Sequence, residues 1–98
     1  MKGLISDINK AFESRIRLGI MSLLMLEESI DFNALKKNLN VSDGNLASHI
    51  NALESQGYLI ITKKFIGKKP NTSYAASKEG KKAFRNHLDA LERLIKNS

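Results

Sequence analysis

The sequence contains no cysteine at any of its 98 positions. This absence excludes disulfide frameworks, thiol catalysis and thiolate metal sites, and it is typical of a protein from a reducing compartment. A chain of this length forms one domain with a modest hydrophobic core. An oligomer interface would therefore be a useful source of additional stability.

Long hydrophobic runs are also missing. The apolar segment from Leu18 to Leu26 follows two arginines, but acidic residues lie on both sides of it and no small-residue cleavage site comes after it. The segment is too short to span a bilayer. We therefore expect neither a signal peptide nor a membrane span, and we expect a cytoplasmic location.

One part of the chain has no acidic residue, and another has no basic residue. The net charge of +6 and the pI near 9.7 favour a polyanionic partner. No acidic residue lies between Glu54 and Glu79, where the chain has five lysines: Lys63, Lys64, Lys68, Lys69 and Lys78. Conversely, no Lys or Arg occurs from Asn38 to Thr62.

Catalytic motifs are absent as well. The sequence has no glycine-rich phosphate loop, metalloprotease helix or cysteine motif, and the adjacent Ser48 and His49 would not face each other on a helix. The second histidine, His87, is far from His49 in the chain, so a metal sensor would need acidic partners such as Asp89. We expect structural or surface roles for both histidines. The sequence predicts a protein that is not an enzyme and has no cofactor or metal site.

Apolar residues recur at helical spacing in the first third of the chain. One predicted helix spans residues 4–12, with an apolar face formed by Leu4, Ile5, Ile8 and Phe12. Ser14 can cap a second helix, whose apolar stripe contains Ile16, Ile20, Leu23 and Leu24. Met21 and Met25 widen this stripe, so we expect the second helix to be central and its methionines to fill the core.

Two short helices follow. Asp31 can cap the first, which has apolar residues at Phe32, Leu35 and Leu39, and Asn40 suits the left-handed conformation at a helix end. Ser42 can cap the second, over residues 43–56, with Leu46, Ile50 and Leu53 directed inward, Ala47 permitting close approach and Gly57 ending the helix. Two short helices separated by a turn of three or four residues form a helix-turn-helix.

A basic hairpin comes directly after these helices. The segments YLIITKKF (58–65) and NTSYAAS (71–77) have strand character, and IGKKPN between them contains the glycine, proline and asparagine of a hairpin connection. A helix-turn-helix followed by such a hairpin, the wing, is a winged helix. The predicted fold is thus mostly α with a small β-hairpin.

The last predicted helix begins after a capping Ser77 and has apolar residues spaced four, three and four apart, at Phe84, Leu88, Leu91 and Ile95. This stripe could pack on its own domain. It could also form a dimer interface together with the apolar face of the first predicted helix, at Ile5, Ile8 and Phe12. We expect a single domain over 1–98, with a winged-helix core at approximately 12–77 and a C-terminal dimerisation helix over 78–98.

Three blocks of sequence carry a family resemblance: SRIRLGIMSLLM, FNALKKNLNVSDGNLASHINALESQGYL and TSYAASKEGKKAF. Their most specific parts are the pattern VS…L..HI..LE..GYL and the closing Y..S.EG after the wing. Over roughly residues 12–84, the chain resembles winged-helix transcriptional regulators of the MarR/ArsR kind. The resemblance implies a homodimeric DNA-binding repressor or activator that dimerises through terminal helices. Many relatives carry an arginine on the recognition helix, whereas this helix has no basic residue.

The predicted recognition helix offers short polar groups to DNA. Asn45 could pair with adenine, and Ser48 could bond to several bases or to a phosphate. Asp43 could accept from cytosine N4, or it could complement the helix dipole. Gly44 could allow close approach of the backbone to DNA, or it could have no functional weight. The predicted site also includes Ser42, at the helix cap, and His49. His49 could reach DNA or form a hydrogen bond within its own domain.

The wing supplies the positive charge. Lys68 and Lys69 lie at its expected tip, where they could enter a minor groove or contact phosphates. The alternative is a solvated lysine loop that contacts no nucleic acid. Lys63 and Lys64 point to opposite faces of their strand, so at most one of them is expected to face DNA.

The combined prediction is a sequence-specific regulator that binds double-stranded DNA as a homodimer at promoters. Two half-sites would lie roughly 10 bp apart, centre to centre. The sequence does not identify an effector, an operator or the direction of regulation. Because the recognition helix is uncharged, a winged helix that serves as a protein-interaction module is the main alternative, and a binder of double-stranded RNA or tRNA is a third.

Overall fold

A computed structural model describes residue 3 and residues 5–96 of the chain. Within them, four α-helices and three antiparallel strands form a winged helix, as the sequence predicts. The elements in chain order are α1 (Arg15–Leu26), β1 (Ile30–Asp31), α2 (Phe32–Leu39), α3 (Asp43–Ser55), β2 (Leu59–Ile66), β3 (Lys69–Ala76) and α4 (Lys78–Lys96).

The predicted helix over residues 4–12 is wrong within the described residues. Residues 5–7 form turns, and the only helical part is a short 3-10 helix at Lys10–Phe12. The side chain of Asn9 accepts a hydrogen bond from the backbone N–H of Ala11 at 2.9 Å, a local bond that competes with a continuous helix. Leu4, part of the predicted apolar face, lies outside the described residues.

Helix α1 is central, as predicted. Ser14 caps it by accepting a hydrogen bond from the N–H of Arg17 at 3.3 Å. Three of its side chains are fully buried in the core: Ile20, Met21 and Leu24. Within the described parts of the chain, no helix is long and apolar enough to cross a membrane.

The helix-turn-helix begins and ends where its capping residues predict. Asp31 accepts a hydrogen bond from the N–H of Ala34 at 2.8 Å and so caps α2. Asn40 ends α2 in the left-handed conformation, with φ of 52°. After α3, Gly57 has φ of +79°, which favours glycine at a helix end.

The sheet has the order β1-β3-β2, and β1 was not predicted because a two-residue strand has no sequence pattern of its own. In the wing, β2 and β3 pair from Leu59–Ala76 out to Ile66–Lys69. Only Gly67 and Lys68 connect them, so the predicted six-residue connection is too long. Gly67 has φ of +64°, which allows this tight two-residue turn.

The start of α4 is fixed by a close contact with the turn that follows α3. The hydroxyl of Ser77 accepts from the N–H of Gly80 at 2.9 Å and donates to the carbonyl of Gly57 at 2.6 Å. A Cβ on Gly80 would lie 2.2 Å from the backbone oxygen of Tyr58, so only glycine fits. This packing gives a structural reason for the S.EG motif after the wing.

Candidate nucleic-acid interface

Helix α3 has one buried side and one open side. Leu46, Ile50 and Leu53 are at most 2% exposed and anchor the helix in the core, as predicted. The open side carries short, uncharged or acidic side chains, and its exposed members are Asp43, Gly44, Asn45, Ala47, Ser48 and Asn51. Ala47 was expected to permit close packing, but it faces outward. The open side can enter a groove without first displacing any part of the described chain.

The first turn of α3 is organised by two side chains. The Oγ of Ser42 accepts a hydrogen bond from the N–H of Asn45 at 3.2 Å, which confirms the cap. Asp43 forms an ion pair with Lys36 of α2, with 2.7 Å between the Nζ and Oδ1 atoms. The carboxylate is therefore engaged with the preceding helix, a role that the sequence does not reveal.

His49 is partly buried beside this surface. Its Nδ1 atom is inaccessible to solvent and has no hydrogen-bond partner among the described residues. The structure thus shows no Nδ1 bond from His49 to its own domain, one of the two roles considered for it.

The two faces of the wing differ in what they offer. Leu59 and Ile61 point toward the body of the protein, and alternation places Lys63 and Phe65 on that same face. Lys64 and Ile66 lie on the opposite face. Lys63 is therefore the lysine of its pair that shares a side with the recognition helix. Lys68 occupies the turn, and Lys69, expected at the tip, begins β3 opposite Ile66.

A cleft of about 630 Å³ separates α3 from the wing. Ala47 and Asn51 line it from α3, and Lys63 and Thr72 line it from the wing. At its inner end, burial and then the Glu54 carboxylate raise the pKa of Tyr74 above 10.0. The phenol is therefore uncharged at neutral pH, and the charge on the wing side of the cleft comes from Lys63.

The wing lysines are available for an external partner. All four of them, Lys63, Lys64, Lys68 and Lys69, are exposed. The ion pairs found in the described residues join other groups, namely Lys36 to Asp43, Arg93 to Asp7 and Lys96 to Glu92. The wing is thus a positive surface adjacent to the open side of α3, and the one acidic side chain that lines the cleft with Lys63 is Glu54.

The terminal residues predicted for dimerisation divide into two groups. Phe12 and Phe84 are each 2% exposed and meet edge to face, with their ring centroids 5.2 Å apart, so both belong to the core of one chain. Ile8 and Leu91 are half-buried. The exposed members of the set are Ile5, Leu88 and Ile95.

His87 has a structural role. It is 3% exposed, and its Nδ1 accepts a hydrogen bond from the backbone N–H of Asn9 at 3.1 Å. The side chain of Asn9 also donates to the hydroxyl of Tyr58 at 3.1 Å.

Within the described residues, no group of three or more His, Asp or Glu side chains is placed to hold a metal ion.

Comparisons with known proteins agree with this architecture. A family model described as "Winged helix DNA-binding domain" matches residues 16–95. An uncharacterised protein of Methanocaldococcus jannaschii is 36% identical over 88 residues, which cover 90% of this chain and 96% of that protein.

Solved structures show the same fold. A transcriptional regulator homologue from Pyrococcus horikoshii OT3 is similar with a TM-score of 0.85 and 28% identity, over 96% of this chain and 91% of that one. The crystal structure of MarR is similar with a TM-score of 0.75 at 15% identity, over 94% of this chain and 67% of that one. The predicted resemblance to MarR/ArsR-type regulators is confirmed at the level of the fold, and the matching family model is one of DNA-binding domains rather than enzymes.

Proposed function

The chain belongs to the winged helix DNA-binding domain family, and from this premise we propose that it is a sequence-specific regulator acting as a homodimer at promoters. One observation carries the proposal: the open polar side of α3 and the exposed lysines of the wing lie on the two sides of one cleft. A regulator of this kind works where the DNA is, which agrees with the cytoplasmic location expected from the sequence.

Affinity and specificity come from different parts of this surface. The wing lysines neutralise phosphates, a contact that depends on salt but not on sequence. Asn45 and Ser48, exposed near the start of α3, reach base edges in the major groove, where an amide can pair with adenine. Because α3 has no cation, base reading depends on these short polar groups.

The Lys36–Asp43 pair adjusts the electrostatics of the surface. An unpaired Asp43 at the head of α3 would repel phosphates, and its ion pair with Lys36 neutralises that charge. Both side chains are largely exposed, so the pair adds little to folding stability. Its effect is on DNA binding, because an arriving phosphate competes with Asp43 for Lys36.

The terminal surface provides the homodimer. Ile5 and Leu88 are 70% and 44% exposed, which leaves apolar area uncovered on both the N-terminal segment and α4. A second copy can cover this area by an isologous contact. Such a dimer would present two α3 helices to half-sites roughly 10 bp apart.

Fluorescence anisotropy tests the proposal, with duplex from the region upstream of the protein's own gene and a scrambled duplex of equal length. We expect binding to the native duplex at least about tenfold tighter, with a steep decrease as salt is raised. The Lys68→Ala/Lys69→Ala variant should lose affinity and show a shallower salt dependence. The Lys81→Ala/Lys82→Ala variant removes the same charge from α4 and serves as the matched control.

The outcomes separate this function from its rivals. Failure to bind any duplex at low salt would overturn the DNA proposal and favour a protein-interaction module, the reading that the cation-free α3 supports. Tighter binding to double-stranded RNA than to DNA would favour the RNA alternative. An equal loss in the two double variants would show that net charge, and not the wing, is responsible.

A further inference from the structure

The wing carries an exposed apolar pair close to its tip. Phe65 of β2 lies directly opposite Pro70 of β3, two residues from Gly67 in the turn. The Phe65 side chain is 73% exposed. Alternation places Phe65 on the same face as Lys63, which lines the cleft beside α3. An aromatic ring and a proline therefore lie on the side of the wing that faces the cleft and α3.

The hydrophobic core does not account for Phe65. Along this face of β2, burial decreases outward from the buried Leu59 through the half-buried Ile61 to exposed residues. Phe65 is six residues beyond Leu59, or about 20 Å at the usual rise of a strand. The ring is thus carried past the body of the domain, and within residues 5–96 it remains largely uncovered.

The surroundings of the ring indicate what covers it. Four lysines surround it along the wing, and no acidic residue lies between Glu54 and Glu79. An apolar protein surface would leave these charges unpaired at the interface, which is unfavourable. A nucleic-acid minor groove has apolar sugars and base edges between two rows of phosphates, so it matches both the ring and the lysines.

Building on the proposed function, we propose that Phe65, supported by Pro70, is a minor-groove wedge that partly unstacks one base step and bends the bound DNA. Lys63 and Lys68 hold the flanking phosphates.

This wedge gives the protein a second source of specificity. Pyrimidine–purine steps are easily unstacked, so a wedge favours sites that place such a step under the wing. That preference operates at positions that α3 does not touch. It compensates for the small number of base-reading groups on the recognition helix.

Two adjacent residues provide the test. Phe65→Ala removes the ring from the cleft-side face, whereas Ile66→Ala removes an apolar group that is 60% exposed on the opposite face. The bound duplex carries donor and acceptor dyes at its ends, and 2-aminopurine at a pyrimidine–purine step in each flank. We expect wild-type protein and Ile66→Ala to shorten the end-to-end distance and raise 2-aminopurine fluorescence. Phe65→Ala should bind the duplex without bending it and without raising 2-aminopurine fluorescence. Phe65→Leu should restore part of the bending and part of the fluorescence increase.

Each other result would overturn the wedge. If wild-type protein binds the duplex without bending or unstacking it, the proposed function holds and the wedge is wrong. Equal losses in Phe65→Ala and Ile66→Ala would assign the effect to general wing hydrophobicity. If Phe65→Ala changes self-association and leaves DNA bending intact, the ring covers a second copy of the chain. If wild-type protein binds no duplex, the proposed function and the wedge both fail.

Discussion

The backbone N–H of Asn9 donates a hydrogen bond to Nδ1 of His87 across 3.1 Å, and so attaches the segment before α1 to the middle of α4. The bond lies beside packed aromatic rings: Phe12 is tilted against the imidazole with ring centroids 5.3 Å apart, and it stacks on Tyr58 at 5.4 Å. These contacts order the two terminal segments that carry the proposed dimer surface. Only neutral imidazole can accept this bond, so its strength depends on pH.

We predict that stability falls as the medium becomes acidic because of His87. Burial lowers its pKa below 6.5, and the nearby Glu13 carboxylate opposes this only in part. Between 6.5 and the lowered folded-state value, the unfolded chain binds more protons than the folded chain, so the free energy of unfolding decreases with decreasing pH. The contribution of His87 to the free energy of unfolding is fully present above pH 6.5. Urea unfolding of wild-type protein and His87→Gln between pH 5 and 8 measures it, and the variant should show a weaker pH dependence.

Tyr58→Phe is the control for that experiment. It removes the hydroxyl that accepts from Asn9 but keeps the ring stacked on Phe12. We expect a loss of about 0.5–1.5 kcal/mol that is the same at every pH. A pH dependence in His87→Gln as steep as that of the wild type would show that another group is responsible.

The second prediction concerns the contact between Gly80 and the turn after α3. In Gly80→Ala, the added Cβ would approach the carbonyl oxygen of Tyr58 to 2.2 Å, and backbone atoms on both sides must move. We expect a destabilisation of about 1–3 kcal/mol, measured by thermal or urea unfolding. An unchanged midpoint would mean that α4 can shift away from Tyr58 at no cost.

Gly44 provides a contrasting third prediction, because a Cβ there meets nothing within 4 Å. Alanine in the first turn of α3 should leave stability unchanged or raise it by up to about 1 kcal/mol. If the backbone of α3 approaches DNA closely, the methyl group weakens binding to the native duplex without affecting folding. Equal anisotropy titrations for Gly44→Ala and the wild type would assign Gly44 no role at the interface.

A structural feature could be predicted from the sequence where the interactions that fix it join residues close together in the chain. Ser14, Asp31, Ser42 and Ser77 cap helices by bonds to residues three positions on, so the boundaries of the helices are visible locally. The segment before α1 is different, because its apolar spacing fits a helix while Asn9 bonds to Tyr58 and His87, 49 and 78 residues away. Such distant partners leave no periodic signal.

The candidate interface could likewise be predicted only in part. The positions of Asn45, Ser48 and the wing lysines follow from helix and strand periodicity. Which side of the wing faces α3 requires the sheet register, and the register separates Lys63 from Lys64. The Lys36–Asp43 pair joins two helices through long side chains whose conformations no sequence pattern specifies.

That pair gives the fourth prediction. Asp43→Asn removes a negative charge from the head of α3 and releases Lys36 for a phosphate. We expect tighter binding to native and scrambled duplexes by the same factor, an unchanged ratio between the two affinities, and a salt dependence steeper by about one unit. Folding stability should change by less than about 1 kcal/mol, because both side chains are largely exposed. Weaker binding to the native duplex alone would instead show that Asp43 reads a base.

The last prediction separates the proposed dimer surface from exposed apolar residues in general. Leu88 is 44% exposed on α4, and Leu26, at the end of α1, is 83% exposed but outside the proposed surface. A glutamate at position 88 would bury an unpaired charge in the dimer, whereas the same change at position 26 would not. Sedimentation equilibrium should therefore give twice 10.9 kDa for the wild type and Leu26→Glu, and a concentration-dependent shift toward 10.9 kDa for Leu88→Glu. If Leu26→Glu also dissociates, the interface includes the end of α1. If Leu88→Glu remains dimeric, the two copies meet elsewhere and the half-site spacing must be derived from that other contact.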